Sequence, residues 1–172
     1  MSYFYKIARK ANHVRRLHTV RVIHEETVGE HTANIIAAVM EFTHFKPSAN
    51  LLMSAAMHDL PEVYTGDVPA NVKKEYPAVK EALDRAESDW LKRMEFPNIF
   101  LKLTNEERLI LKFCDAFDLL QKCLIETAMG NSTILPITKR INGYVMQIVD
   151  AMDDNNRKTA QSWMLALNED LI

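Results

Sequence analysis

The sequence predicts an all-α protein, a single domain over residues 1–172 built as a bundle of six or seven helices. Only four glycines and a hydrophobic content of 48% are typical of a helix-rich globular chain. Apolar residues recur at the 3.6-residue helical spacing through most of the chain, and we find no convincing strand alternation, internal repeat or low-complexity run. The length of 172 residues suffices for one sizeable core.

The first three predicted helices occupy the N-terminal third of the chain. Residues 3–11 carry aromatic and aliphatic side chains at helical spacing, and an arginine-rich connector follows as far as Gly29. Residues 31–45 form the second helix. Ser48 is the expected cap of a third helix over residues 50–60, which is apolar nearly all round until it reaches a His-Asp pair near its end. Two polar residues in such surroundings need a chemical explanation.

The middle of the chain is predicted to be irregular before helical periodicity returns. Prolines and Gly66 break residues 60–75 into a loop with one or two brief helical turns. Residues 77–95 form an amphipathic helix, and Pro97 with Asn98 marks its end.

Three helices are predicted for the C-terminal part. Thr104 and Glu107 have the spacing of a capping box, which starts a long helix that ends at Gly130. Residues 136–153 and 156–168 form the last two helices. Val145, Ile148, Trp163 and Leu167 are apolar residues of these helices that could pack in the core or cover a subunit contact.

Charge and composition exclude several function classes. A formal net charge of −2 argues against binding to a nucleic-acid backbone, although five basic residues cluster near the N-terminus. Cys114 and Cys123 match no zinc-site spacing and lie in apolar helical sequence, which fits a reducing cytoplasm. No signal-peptide core or long apolar stretch is present, so we expect neither secretion nor membrane association.

Four residues from three predicted helices could form a metal site. His58 and Asp59 end an apolar helix, His31 begins the preceding one, and Asp115 lies inside the apolar stretch ILKFCDAFDLL. Each has an ordinary explanation: His58 as a hydrogen-bonded core histidine, Asp59 as a cap, His31 as a cap or surface residue, and Asp115 as a solvent-facing carboxylate. Together, two imidazoles and two carboxylates suit one divalent metal, with Mn, Fe, Co, Ni and Zn all compatible.

The order His31, His58-Asp59, Asp115 resembles the H…HD…D signature of the HD-domain superfamily of metal-dependent phosphohydrolases. Within it, the stretches EETVGEHT, AAMHDLPEVYTGDVPANVK and LKFCDAFDLLQKCLIETAMGN are similar to blocks of the bacterial HD-domain 5′-deoxynucleotidases and of the compact phage dATP triphosphohydrolases. The resemblance covers roughly residues 12–131 and implies an HD-type helical bundle and a deoxynucleotide substrate. Homo-oligomers are common among these enzymes, so it also implies a dimer or hexamer.

The resemblance assigns a role to nine residues. It implies that the metal ligands are His31, His58, Asp59 and Asp115, that the catalytic groups handling water and protons are Glu62 and Asp67, and that the phosphate-binding residues are Arg16, Lys73 and Lys112. Helical spacing is compatible with these roles, because Glu62 lies about one turn after the His-Asp pair and Lys112 three residues before Asp115. Alone, Asp67 could simply form a turn, and basic runs usually face solvent.

Two positions depart from the pattern of the 5′-deoxynucleotidases. Leu17 follows Arg16 where an aromatic residue is usual, and Asn71 stands where proline is common. Both changes concern the surroundings of sugar and base, and neither touches the metal ligands.

The expected reaction is attack of an activated water on the phosphorus nearest the sugar. The leading expectation is a dATP triphosphohydrolase, favoured by the compact chain and three basic groups, for which an additional Mg²⁺ could accompany the triphosphate. The alternatives are a 5′-deoxynucleotidase acting on deoxynucleoside monophosphates, and a catalytically silent HD scaffold that binds a nucleotide or a protein.

Overall fold

A computed structural model describes residues 3–96 and 102–169 and confirms the all-α architecture. Seven helices in this part of the chain have eight or more residues, and two are shorter. They are α1 (Tyr3–Lys10), α2 (Val28–Phe42), α3 (Ala49–Met57), α4 (Glu62–Thr65), α5 (Ala70–Glu75), α6 (Pro77–Arg93), α7 (Asn105–Ala128), α8 (Leu135–Ala151) and α9 (Asp154–Glu169). The short helices α4 and α5 are the brief turns predicted for residues 60–75. Pro97 and Asn98, the predicted end of α6, lie outside the described residues.

Helix α2 begins three residues earlier than predicted. The Thr27 hydroxyl accepts a hydrogen bond from the Glu30 backbone N–H, and the Glu30 carboxylate accepts one from the Thr27 backbone N–H. This capping box starts the helix at Val28, so that Gly29, the predicted end of the connector, lies inside it. The helix also ends earlier, at Phe42, since His44 and Phe45 adopt positive φ angles.

The connector contains a short strand pair that the sequence did not predict. Strand β1 (Arg15–Arg16) pairs antiparallel with β2 (Glu26–Thr27), which brings Arg16 opposite Glu26. The intervening loop is tied to α7 by Glu126, whose carboxylate accepts hydrogen bonds from the backbone N–H groups of Ile23 and His24. The buried carboxylate therefore fixes the position of both strands relative to α7.

The main core lies between α2, α3 and α7, with α8 and α9 packed beside α7. Val145, Ile148 and Leu167 are buried there and Trp163 packs against them, so these residues belong to the core, one of the two roles left open by the sequence. Cys114 and Cys123 are buried free thiols. Within residues 3–96 and 102–169, no helix has both the length and the apolar character required to span a membrane.

Candidate metal centre

The four predicted ligands come from α2, from α7 and from the turn that follows α3, which ends at Met57 and not at residue 60 as predicted. His31 lies in the second turn of α2 and is completely buried, which excludes the surface or cap role that a lone histidine could have had. His58 and Asp59 lie directly after the last residue of α3. Asp115 lies midway along α7. The packing of α2, α3 and α7 therefore brings residues 84 positions apart in sequence to one place.

The side chains of all four residues converge on the Nε2 atom of His31. This nitrogen lies 3.1 Å from Nε2 of His58, 3.2 Å from Oδ1 of Asp115 and 3.5 Å from Oδ2 of Asp59. Nε2 of His58 is 3.4 Å from the same Asp59 oxygen. Two ring nitrogens and two carboxylate oxygens thus surround one small volume.

The other nitrogen of each imidazole ring has its own acceptor. Nδ1 of His31 donates to Oδ2 of Asp118 at 2.7 Å, and Nδ1 of His58 donates to the backbone carbonyl of Ala55 at 2.8 Å. With both hydrogens on Nδ1, the two Nε2 lone pairs face each other and repel unless a proton or a cation lies between them. The donor set of two nitrogens and two oxygens therefore fits a divalent transition metal.

Electrostatics at this cluster favour positive charge. Burial disfavours a charged His58, but nearby Asp59 and its hydrogen bond more than compensate and raise the pKa of His58 to about 9. Burial likewise opposes ionisation of Asp59 and Asp115, yet the adjacent imidazoles hold the pKa of each carboxyl below its ordinary value. Positive charge among these side chains, whether from protons or from a metal ion, is therefore favoured.

Glu62 lies close to Asp59 of this cluster and is the first residue of α4, which begins directly after Pro61. Burial, followed by the negative charges of Asp59 and Asp67, raises the pKa of Glu62 to about 8. Its Oε1 atom is 3.9 Å from Nζ of Lys73, whereas the buried Oε2 atom has no hydrogen-bond partner among the described residues. An unpartnered buried carboxylate oxygen can bind water or accept a proton.

Asp67 links the α4–α5 loop to the loop after β1. It follows Gly66, whose φ of 77° makes the turn that glycine tolerates best. Oδ2 of Asp67 accepts a hydrogen bond from the backbone N–H of Leu17 at 3.2 Å, and Nδ1 of His18 is 3.9 Å away. Leu17 itself has a φ of 54°, so this contact occurs where the backbone is strained.

The structure places the three predicted phosphate-binding residues in different environments. Nη1 of Arg16 lies 3.2 Å from Oε2 of Glu26, and its side chain is largely buried. Lys73, on α5, faces Glu62. Lys112 is exposed on α7, one turn before Asp115, and makes no hydrogen bond or ion pair with any residue the structure describes. Two of the three basic residues therefore lie within 4 Å of a carboxyl group, Arg16 near Glu26 and Lys73 near Glu62.

Two carboxylates at the site, Asp118 and Glu26, were not predicted from the sequence. Asp118 could have been solvent-facing, but it is buried against His31 and also lies 3.9 Å from Arg16. Its position three residues after Asp115, on the same face of α7, was the available signal. Glu26 had no comparable signal, because its approach to Arg16 depends on the pairing of two-residue strands.

The chain is similar to known proteins over most of its length. Residues 3–155 match the family model described as "5′-deoxynucleotidase YfbR-like". The 5′-deoxynucleotidase of Enterobacter sp. strain 638 and the 5′-deoxynucleotidase YfbR of Escherichia coli O127:H6 are each 29% identical to this chain over 161 residues, spanning 81% of this chain and 80% of the relative.

A solved structure shares the fold. The cyanophage S-2L HD phosphohydrolase DatZ, bound to dA and one catalytic Zn²⁺ ion, superposes with a TM-score of 0.76 at 17% identity, covering 98% of both chains. The matched family and these relatives favour the alternative expectation, a 5′-deoxynucleotidase, over the leading expectation of a dATP triphosphohydrolase. The chain belongs to the YfbR-like 5′-deoxynucleotidase family and is an HD-domain phosphohydrolase.

Proposed function

We propose that this chain is a metal-dependent 5′-deoxynucleotidase, which hydrolyses 2′-deoxynucleoside 5′-monophosphates to deoxynucleoside and inorganic phosphate. The observation that carries the proposal is the convergence of His31, His58, Asp59 and Asp115 around one point, in a chain whose family is that of the 5′-deoxynucleotidases. These four residues would hold one divalent metal, and their donor set is compatible with Mn, Fe, Co, Ni or Zn.

The metal, when bound, would supply a positive charge that polarises the phosphate and makes a water molecule more acidic. Glu62 would take the proton of the attacking water, since its Oε2 has no hydrogen-bond partner in the described part of the chain. Its pKa of about 8 lets it both accept and release a proton near neutral pH. Asp67 would orient that water or handle the proton of the leaving oxygen, and its hydrogen bond from Leu17 holds it in place.

The charges around the site support a substrate with one phosphate. Arg16 and Lys73 would contact phosphate oxygens, and each lies near a carboxyl group, Glu26 or Glu62. Lys112 adds one exposed cation from the turn before Asp115. These three cations, of which Arg16 is paired with Glu26, suit a dianionic monophosphate better than a triphosphate with about four charges.

A substrate panel tests the reaction directly. The purified protein is incubated with dNMPs, NMPs and dNTPs in the presence of Mn²⁺, Co²⁺, Mg²⁺ or Zn²⁺, and the products are separated by anion exchange. We expect inorganic phosphate and deoxynucleoside from dNMPs. Release of triphosphate from dNTPs, without hydrolysis of any dNMP, would refute the proposal in favour of a triphosphohydrolase.

Matched variants test the site. His58→Ala and Asp115→Ala should abolish both metal retention and hydrolysis. His13→Ala and Asp150→Ala remove the same side chains from exposed positions outside the site and should leave both properties unchanged. If the first pair retains wild-type metal content and activity, the assignment of the ligands is wrong.

The oligomeric state stays a prediction. We propose a homo-oligomer, a dimer or a hexamer, and light scattering of the purified protein measures its mass. A monomer at micromolar concentration would contradict this expectation.

A further inference from the structure

Asp118 is a buried carboxylate to which the proposed reaction gives no role. It lies on α7 one turn after Asp115, is only 9% exposed, and accepts the Nδ1 hydrogen of His31 at 2.7 Å. Building on the proposed function, we propose that Asp118 is a positioning residue, which fixes the tautomer and the ring orientation of His31 so that its Nε2 lone pair is directed at the metal.

The geometry explains why His31 needs such a partner. Its ring is completely buried, so no water competes for the Nδ1 hydrogen. If the hydrogen were on Nε2 instead, that nitrogen could not bind a metal, and it would face His58 and Asp115 as a donor. An ionised carboxylate can only accept hydrogen bonds, so Asp118 selects the tautomer with hydrogen on Nδ1.

A second contact keeps Asp118 in place. Nη1 of Arg16 lies 3.9 Å from the Asp118 oxygen that contacts His31, and 3.2 Å from Oε2 of Glu26. Two buried carboxylates so close would repel each other without a cation between them, and the guanidinium supplies it. Arg16, a proposed phosphate-binding residue, therefore lies near the same Asp118 carboxylate that orients the metal ligand His31.

Calorimetric titration with Zn²⁺ tests the proposal through metal affinity, independently of turnover. Asp118→Asn retains the size of the side chain but lets its amide donate to His31 as well as accept. We expect the Kd for Zn²⁺ to rise about 10- to 100-fold. Asp89→Asn removes one negative charge from an exposed ion pair with Lys92, and its Kd should equal that of the wild type.

A spectroscopic measurement on the wild-type protein keeps the test valid if Asp118→Asn does not fold. In the zinc-loaded protein, ¹H–¹⁵N correlation spectra of the histidine rings should show the His31 hydrogen on Nδ1, at the downfield shift of a hydrogen bond to a carboxylate. In a folded Asp118→Asn protein, this proton should move upfield.

The outcomes separate this inference from the proposed function. If the wild type binds no Zn²⁺, Mn²⁺ or Co²⁺, both fail. If the wild type binds metal and Asp118→Asn binds it equally well, only the positioning role of Asp118 is refuted. The positioning role is likewise refuted if the His31 hydrogen is found on Nε2.

Discussion

Replacing Glu62 by glutamine should stabilise the metal-free protein and strongly reduce the activity of the metal-loaded protein. The pKa of Glu62 is about 8 in the folded protein against an ordinary value of 4.5, so between these two pH values the unfolded chain binds fewer protons than the folded one. The free energy of unfolding of the wild type therefore falls as the pH rises through this window. Glutamine does not titrate, so the free energy of unfolding of the variant does not fall in this way.

The size of the effect follows from the pKa shift. At about 1.4 kcal/mol per pKa unit, the wild type loses about 3 kcal/mol by pH 7 and at most about 5 kcal/mol above pH 8, whereas below pH 4.5 it loses nothing. Glu62 is buried, so solvent screens this contribution only weakly. We thus expect the difference in unfolding free energy between Glu62→Gln and wild type to grow steadily from pH 5 to pH 8.

Urea denaturation in the presence of a chelator measures this difference at pH 5, 6, 7 and 8. Glu81→Gln is the matched control, because Glu81 is exposed on α6, and its difference from wild type should not change with pH. In the metal-loaded protein, Glu62→Gln should reduce kcat at least about 100-fold. A difference for Glu62→Gln that stays constant from pH 5 to pH 8 would refute the reasoning.

Three further predictions concern the metal centre and the helices that carry it. Because the pKa of His58 is about 9, Zn²⁺ binding at pH 7 should release a proton, and the affinity for Zn²⁺ should rise about tenfold per pH unit between pH 6 and 8. Calorimetry in two buffers measures the proton release, and its absence would contradict this prediction. A β-carbon on Gly29 would lie 1.8 Å from Oδ1 of Asn12, so Gly29→Ala should lower the unfolding free energy by about 1–3 kcal/mol, and added Asn12→Ala should restore part of it. Thr27→Ala and Thr104→Ala should each cost about 1 kcal/mol, and denaturation of the double variant should show additive losses since the caps serve separate helices.

The sequence predicts the helices well where periodicity and caps are both present. The capping box of Thr104 and Glu107 locates the start of α7 correctly, and the same rule applied to Thr27 and Glu30 would have placed the start of α2. The pairing of β1 with β2 could not be predicted in this way, since two-residue strands have no periodicity. It depends instead on contacts such as those of Glu126, about 100 positions away from the loop that it holds.

In the candidate site too, a sequence motif predicts some residues, whereas others depend on contacts between distant parts of the chain. The order of His31, His58, Asp59 and Asp115 is specific as a motif, and the structure brings these side chains together. The residues that position these side chains, such as Asp118, belong to no recognisable sequence motif. For Asp118, the only signal in the sequence is its spacing of three residues from Asp115. Whether this carboxylate faces solvent or a histidine depends on which face of α7 packs against α2.

The residues of the candidate metal centre lower the stability of the metal-free protein, and the neighbouring apolar core offsets this loss. Two facing imidazole nitrogens and carboxylates at short distances lie at the contact between α2, α3 and α7. Glu62, at the start of α4, adds a buried oxygen with no hydrogen-bond partner among the described residues. The same three helices bury Ile35, Leu51 and Phe113, whose apolar contacts stabilise the arrangement. Protons on His58 and Glu62 relieve part of the charge imbalance without a metal. Metal binding should therefore replace protons in a preformed site, so metal removal should lower stability without unfolding α2, α3 and α7.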